Sequence, residues 1–550
     1  MKVAEAVGTR LAALGCRQVF TVVGSGNFVV TRAIEQAGAS VVAARQETAA
    51  VSMADGYARV SGQVGVVTVH QGPGFTNSIT ALTEAAKSRT PLLLLAADTS
   101  AGATRSNFRI DQAAVATGVG AVVELIHSPE TAVTDATRAF RRAADERRAV
   151  VLRLPLDVQA ADAAEAPAGA TAAPAPVAVA ATPHTDEIER AVDLLVAARR
   201  PAIIAGRGAV LAGAGDGLEE LGRTIGAVLA TSANANGLFA GNPFGLGISG
   251  GFLPPTGARL LEQADLVLAV GASLNMWTTR HGALVGAGTT VVQIDCEPDA
   301  IGAHRPVELG IVADAAEANR ELVAALRARG HHAVGFRTPD IEKRLAAGRW
   351  RDEPYDDASD GERIDPRALS IALDHILPRS RTVAIDSGHF MGWPSMYLDV
   401  PDAVGFVFTQ GFQSIGLGLA SAIGAAVARP DRLTVAALGD GGALMALGEL
   451  ETVGRLGLPM LVVVYNDAAY GAEVHHFGPQ GEPLDLVRFA DTDFAALGRA
   501  VGADGVTVRT AADLEPVKVW LDDRRRPMVI DAKVATGVVA GWLQEAFKAH

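Results

Sequence analysis

The chain has 550 residues, too many for one hydrophobic core, so about two to four domains are expected. Apolar residues make up 49% of it and the mean hydropathy is +0.23, which suits a well-buried α/β enzyme. A net charge of −13 argues against nucleic acid as a partner, and two cysteines, Cys16 and Cys296, supply neither a disulfide framework nor a zinc cluster.

The first residues mix Lys2, Glu5 and Arg10 into a helical pattern with no apolar signal core. The longest aliphatic runs, such as 91–97 and 460–464, are strand-length and far below a membrane span, so a cytoplasmic protein with no membrane partner is expected. Three blocks follow one another at 1–160, 185–330 and 364–550. An Ala/Pro-rich linker at 160–183 and a charge-rich break at 330–366, without an amphipathic stripe, separate them. Each block alternates short Val/Ile/Leu runs with helical patterns. The runs include 64–69 and 92–96, then 202–205, 266–270 and 291–294, then 383–385, 434–438 and 461–465. Such runs, bounded by Gly and Asp, predict an α/β protein of three consecutive domains, each with a mostly parallel sheet flanked by helices. Ligands then bind beyond the carboxyl ends of the strands.

At those ends, the run 19–23 leads into Gly24-Ser25-Gly26-Asn27, and 64–69 into His70-Gln71-Gly72-Pro73-Gly74-Phe75-Thr76-Asn77. Between them stands Ala44-Arg45-Gln46-Glu47-Thr48-Ala49-Ala50, with Ala54-Asp55-Gly56-Tyr57-Ala58-Arg59 after it. In the second block, 245–250 fits the dinucleotide pattern GxGxxG. It follows Asn242-Pro243-Phe244 rather than a strand, and Pro254-Pro255 stand where a helix should continue, so the match is fortuitous. In the third block, 434–438 runs into Gly439-Asp440-Gly441-Gly442, and 461–465 into Asn466-Asp467. Glycines at a strand end let the backbone approach an anion, and the following helix N-terminus favours phosphate. Asp440 puts a carboxylate where phosphates would sit. A divalent cation between them relieves that repulsion, and magnesium suits oxygen ligands completed by phosphates. A second oxygen ligand follows 27 positions later, at an adjacent strand end.

Together these segments resemble the thiamine-diphosphate signature of the acetolactate synthase, benzoylformate decarboxylase and pyruvate decarboxylase superfamily. The resemblance implies thiamine diphosphate and Mg2+ as cofactors. Asp440, Asp467 and the carbonyl of Ala469 fall on its metal-ligand positions, with the choice between Asn466 and Asp467 resting on spacing. Glu47 falls on the carboxylate that activates the aminopyrimidine, and Asn77 on the last residue of the family's GPGxTN turn. The stretch 408–424 resembles the segment that bends the cofactor, Ile415 lying under the thiazolium and the Gln413 carbonyl accepting from the 4′-amino group. Ser387-Gly388-His389 resembles the loop that reaches the diphosphate, and Tyr470 also falls among the cofactor contacts. His70 and Ser25 resemble the proton-moving histidine and substrate-contacting serine of benzoylformate decarboxylase. Glu473, 33 positions after Asp440, resembles the catalytic glutamate of pyruvate decarboxylase. His475 and His476 read as the solvated side of that helix.

The blocks then correspond to pyrimidine-binding, central nucleotide-fold-like and diphosphate- and metal-binding domains. In this family neighbouring chains share each site, which implies a homodimer or homotetramer. The substrate motifs depart from acetolactate synthase: Phe108 stands where its Gln would be, Ala121 replaces its Lys, and the Arg of its central strand end is not evident in 271–277. These departures disfavour acetolactate synthesis, and also FAD, which stays an option for the central block. The reading is a decarboxylase or carboligase acting on a 2-oxo acid or acyl substrate. Acetolactate synthase proper and a 2-hydroxyacyl-CoA lyase are the alternatives within the class. A non-catalytic cofactor-binding relative is disfavoured by Glu47 and the metal motif, and a Rossmann oxidoreductase by the misplaced GxGxxG.

Overall fold

The computed structural model describes residues 1–164 and 181–546, so most of the linker expected at 160–183 lies outside the described residues. Its first sheet contains β1 (Gln18–Thr21), β2 (Ser40–Ala43), β3 (Gly65–Val69), β4 (Leu92–Asp98), β5 (Val122–Leu125) and β6 (Ala149–Pro155). The order across it is β2-β1-β3-β4-β6-β5. The second sheet contains β7 (Pro201–Ala205), β8 (Val228–Thr231), β9 (Gly245–Ile248), β10 (Leu266–Val270), β11 (Thr290–Asp295) and β12 (Leu309–Val312), in the order β12-β11-β10-β7-β8-β9. The third contains β13 (Arg381–Ile385), β14 (Phe406–Phe408), β15 (Leu433–Gly439), β16 (Leu461–Asn466), β17 (Asp504–Val508) and β18 (Met528–Lys533). Its order, β14-β13-β15-β16-β18-β17, repeats that of the first sheet.

Every pairing between these strands is parallel. The protein is therefore α/β with three parallel sheets. Helices cover both faces, so β4 and β16 are buried along their whole length, which is why they read as unbroken apolar runs. No helix among the described residues is long and apolar enough to cross a membrane.

Two local readings change. The GxGxxG stretch supplies β9 itself, an edge strand with a register irregularity opposite Leu229 and Ala230, and a helix begins only at Pro255. The break at 330–366 holds a helix, Pro339–Ala346, opened by a proline in its first turn and by the Thr338 hydroxyl accepting from Ile341 N–H. Only Leu345 of that helix is buried, so its sequence carries no apolar stripe.

The first and third sheets meet through two helices, Glu47–Ser61 and Gly418–Ala428, whose small residues let the backbones touch. A Cβ on Gly56 would lie 2.2 Å from the Ser421 carbonyl oxygen, and one on Gly424 would lie 1.9 Å from that of Met53. Side chains larger than hydrogen would force this crossing apart. It fixes the start of the helix carrying Glu47 and the loop carrying Gln413 relative to each other.

Candidate active site

In the first and third sheets the chain leaves the central strand toward both edges, and the crevice at that reversal is where α/β sheets bind ligands. The reversal lies between β1 and β3, and again between β13 and β15. Ser25 and His70 follow the first pair, and Gly388 and Asp440 follow the second.

At the first crevice, His70 Nδ1 lies 2.8 Å from the Gln71 carbonyl. A carbonyl only accepts, so Nδ1 carries the proton of the neutral ring. Nε2 is left as an acceptor for the Ser25 hydroxyl at 3.3 Å. The Phe108 ring stands edge-on to His70 at 5.1 Å. Glu47 is the first residue of its helix and is half-buried, and its Oε2 accepts from Asn77 Nδ2 at 3.1 Å. Gly74 sits between the groups, where a Cβ would lie 3.3 Å from Glu47 Oε1 and 3.2 Å from His70 Cβ. Glu47, Asn77, His70 and Ser25 thus form one continuous set.

At the second crevice, Asp440 opens the helix after β15 and faces Asp467 at the end of β16. Burial raises both carboxyl pKa values, and for Asp440 the neighbouring charge of Asp467 adds to the effect. Asn466 is fully committed elsewhere. Its Nδ2 donates to Asp491, Thr492 and Asp531, and its Oδ1 accepts from Ala468 N–H. Asp467, not Asn466, is therefore the side chain beside Asp440. Ala468 takes a left-handed φ of 57°, turning the chain so that Ala469 follows within the same loop.

The glycines of the triplet answer to neighbouring protein atoms. A Cβ on Gly439 would meet Phe390 at 3.0 Å, one on Gly441 the Tyr470 ring at 2.4 Å, and one on Gly442 the Asp386 carboxylate at 2.1 Å. Asp386 is fully buried and accepts from the N–H groups of Gly416, Leu417 and Gly418, which holds Ile415 and the exposed Gln413 at the crevice. Burial pushes its carboxyl pKa up to about 6 against those bonds. Gln413 itself has φ 59°, a left-handed strain that a side chain tolerates only when its surroundings impose it.

His389 differs from its expected role. Its Nε2 accepts from Ala540 N–H at 2.9 Å and its ring is buried, so that nitrogen is turned toward the C-terminal segment. The His475 ring lies 4.4 Å from it and half-buried, which corrects the solvated reading of His475. Glu473 is half-buried on the helix Gly471–Phe477 and makes no side-chain hydrogen bond among the described residues.

Three supporting carboxylates were not singled out from sequence. Besides Asp386, Glu449 Oε1 accepts from Arg45 and Gln46 N–H beside Glu47. Glu84 accepts from Gly411 and Phe412 N–H just before Gln413, and also from Arg59. Asp386 and Glu84 carry one sequence signal, an acidic residue beside an apolar strand or within a helix of small and apolar residues, whereas the helix of Glu449 also holds Glu451 and Arg455 and gives none.

The geometry fits a diphosphate bridged by a cation. The buried carboxylate of Asp440 and the half-buried one of Asp467 face each other, and Ala469 follows two positions after Asp467. The remaining ligands of a cation here would be phosphate oxygens and water. Comparison with known proteins agrees with the cofactor. Residues 1–115 match the thiamine pyrophosphate enzyme N-terminal TPP binding domain, 188–322 its central domain and 386–532 its C-terminal TPP binding domain. Similar curated proteins include the probable 2-ketoarginine decarboxylase of Pseudomonas aeruginosa, 29% identical over 94% of this chain and 90% of that one. They also include the sulfoacetaldehyde acetyltransferase of Alcaligenes xylosoxydans xylosoxydans (27%, 94% and 89%) and an acetolactate synthase large subunit of Escherichia coli (29%, 93% and 90%). With all three domains present in order, the chain belongs to the thiamine pyrophosphate enzymes and is a thiamine-diphosphate-dependent enzyme.

Proposed function

We propose that the protein is a thiamine-diphosphate- and magnesium-dependent decarboxylase or carboligase acting on a 2-oxo acid. The observation that carries the reading is the facing pair of buried Asp440 and half-buried Asp467, whose repulsion a cation or a shared proton relieves. Asp440, Asp467 and the Ala469 carbonyl would hold Mg2+, and the loop from Gly439 to Gly442 would carry the diphosphate with Gly388 and Tyr470. Ile415 and Gln413 would support and orient the rings. Thiamine diphosphate, when bound, supplies a thiazolium carbon that adds to a carbonyl and accepts the electrons released with CO₂.

The chain's own groups divide the proton work. Glu47, steered by Asn77, would share a proton with the aminopyrimidine. His70 Nε2, with its tautomer fixed through Gln71, would take or return a proton at the substrate, and Ser25 would donate to the substrate carboxylate. Phe108 stands edge-on to His70, where acetolactate synthases carry Gln, which favours the decarboxylase reading. Glu473 would be a second proton-handling group from the other half of the site.

Among the described residues no hydrogen bond or ring contact joins Glu47, Asn77, Ser25 or His70 to Asp440 or Asp467. Phe28 and Met445, each 53% exposed, stand close in sequence to Ser25 and Asp440 respectively. We take these apolar rims as the contact between two chains that complete each other's sites. The central block is read as holding no flavin. The loops after β7 and β10 touch at its reversal point, where a Cβ on Gly206 would lie 2.0 Å from the Gly271 carbonyl. The test is CO₂ release and product analysis with thiamine diphosphate, Mg2+ and a panel of 2-oxo acids. Cofactor-loaded protein that turns over none of them would refute the reading.

A further inference from the structure

At the amino ends of β8 and β9, opposite the carboxyl-end crevice of the central sheet, lies a cavity of about 680 Å³. Its polar walls are Arg223, Arg337, His332 and Glu219, and its apolar walls include Phe244 and Pro243. Ligand cavities commonly span about 300–1,000 Å³, so the space suits a small molecule.

The walls are pinned by the backbone. Ala333 N–H donates to the Thr224 carbonyl at 3.0 Å, and Phe336 N–H to that of Gly226 at 2.8 Å. Gly226 and Gly335, both at positive φ, press together, since a Cβ on Gly335 would lie 2.4 Å from the Gly226 oxygen. The helix Gly215–Ile225 and the segment 332–337 laid against its end therefore form one preshaped rim.

Arg337 is held in place there. Its Nε donates to the Ala227 carbonyl at 2.8 Å, and its guanidinium carbon lies 4.7 Å from the Phe244 ring centroid. Its Nη2 is buried against the helix at Gly222, where a Cβ would lie 2.9 Å from it, and has no acceptor among the described residues, so the remaining guanidinium edge is the one left for the cavity. Burial and the nearby Arg223 guanidinium push the Arg337 pKa down to about 10, opposed only by Glu219. Arg223 is exposed and makes no ion pair among the described residues. Two guanidinium groups converge on this partly buried site against the single carboxylate of Glu219, which leaves a net positive charge for a bound anion to neutralise. Phe244 and Pro243 add an apolar wall that inorganic phosphate would not use.

We propose that this cavity binds a small organic anion, a flat or apolar body bearing a phosphate or carboxylate, gripped by Arg223 and Arg337. The test uses the full chain saturated with thiamine diphosphate and Mg2+, so that the diphosphate crevice is filled. Titration calorimetry with AMP, phenyl phosphate and phthalate, against inorganic phosphate, should show at least one organic probe binding once per chain. Arg223→Gln, which alters only an exposed side chain, should weaken that binding at least about tenfold, as should Arg337→Lys. Inorganic phosphate should bind more weakly than the best organic probe. If none of the three organic probes binds, or if binding is unchanged in Arg223→Gln with an unaltered melting temperature, the assignment is wrong. Activity toward 2-oxo acids is a separate readout, so failure here leaves the proposed reaction untouched and the reverse also holds.

Discussion

Glu449 Oε1 accepts the backbone N–H of Arg45 at 2.9 Å, across 404 positions of sequence, and so ties the third sheet's unit to the turn that starts Glu47's helix. The same oxygen takes Gln46 N–H at 3.1 Å, and Glu449 itself is buried. Glu449→Ala should leave the Arg45 and Gln46 N–H groups without this acceptor, at a cost of up to about 1–3 kcal/mol each where water cannot replace it. Glu449→Gln keeps an acceptor and should lose much less. Urea unfolding of both variants checks this, and equal losses would show that the acceptor is unimportant.

Asp440 and Asp467 make contrasting predictions. Asp440→Ala should abolish the magnesium-dependent rise in melting temperature with thiamine diphosphate present, because cation and diphosphate bind as a unit. Asp467→Asn keeps an oxygen ligand and removes one of two facing charges, so it should raise the melting temperature of the cofactor-free protein at pH 7. The rise should be a few degrees, roughly what 1 kcal/mol gives in a large domain. A magnesium response that survives excess chelator would remove the metal from the site.

Association should be required for activity. Sedimentation at the assay concentration should show a dimer or larger, and Met445→Glu, placed on an exposed apolar rim, should shift it toward monomer with activity falling in step. A monomer with full activity would contradict the shared site.

His389 gives a pH signature. Burial and the neighbouring His475 push its pKa down to about 3, from an ordinary value of 6.5. The folded state therefore keeps it neutral while the unfolded chain binds a proton. Its stabilising contribution is complete above pH 6.5 and is lost as pH falls toward 3, with a slope of up to about 1.4 kcal/mol per unit. His389→Gln, which can still accept from Ala540, should flatten the melting-temperature profile of the cofactor-free protein across that window. An unchanged profile would show that His389 does not titrate as the geometry implies.

The strands were legible because burial on both faces leaves them almost wholly apolar, as over 92–97 of β4. The Asp440–Asp467 pairing was legible because adjacent strands of one parallel sheet set the spacing between their ends. Other features depend on distant packing. Nothing local marks Glu449 as the anchor for Arg45, or His475 as the partner of His389 rather than a solvated residue. The triplet glycines were legible as a motif but not for their reason, since Tyr470 and Asp386 crowd them from other segments. The helix Pro339–Ala346 escaped because it buries a single residue.

Glu47 and His70 should fail in different ways when altered. Glu47 Oε2 is held by Asn77, and His70 Nε2 faces Ser25 on the other side of Gly74, so each has its own partner. Glu47→Gln keeps the shape and the Asn77 contact but cannot share a proton. Activity with every substrate should then drop toward the upper end of the roughly 10²–10⁴-fold range of general acid–base steps. His70→Ala leaves Glu47 intact, so activity should fall while deuterium exchange at C2 of bound thiamine diphosphate stays fast. Measuring that exchange in both variants separates activation of the cofactor from handling of the substrate. Fast exchange in Glu47→Gln would strip Glu47 of its role, and slow exchange in His70→Ala would move His70 from the substrate to the cofactor.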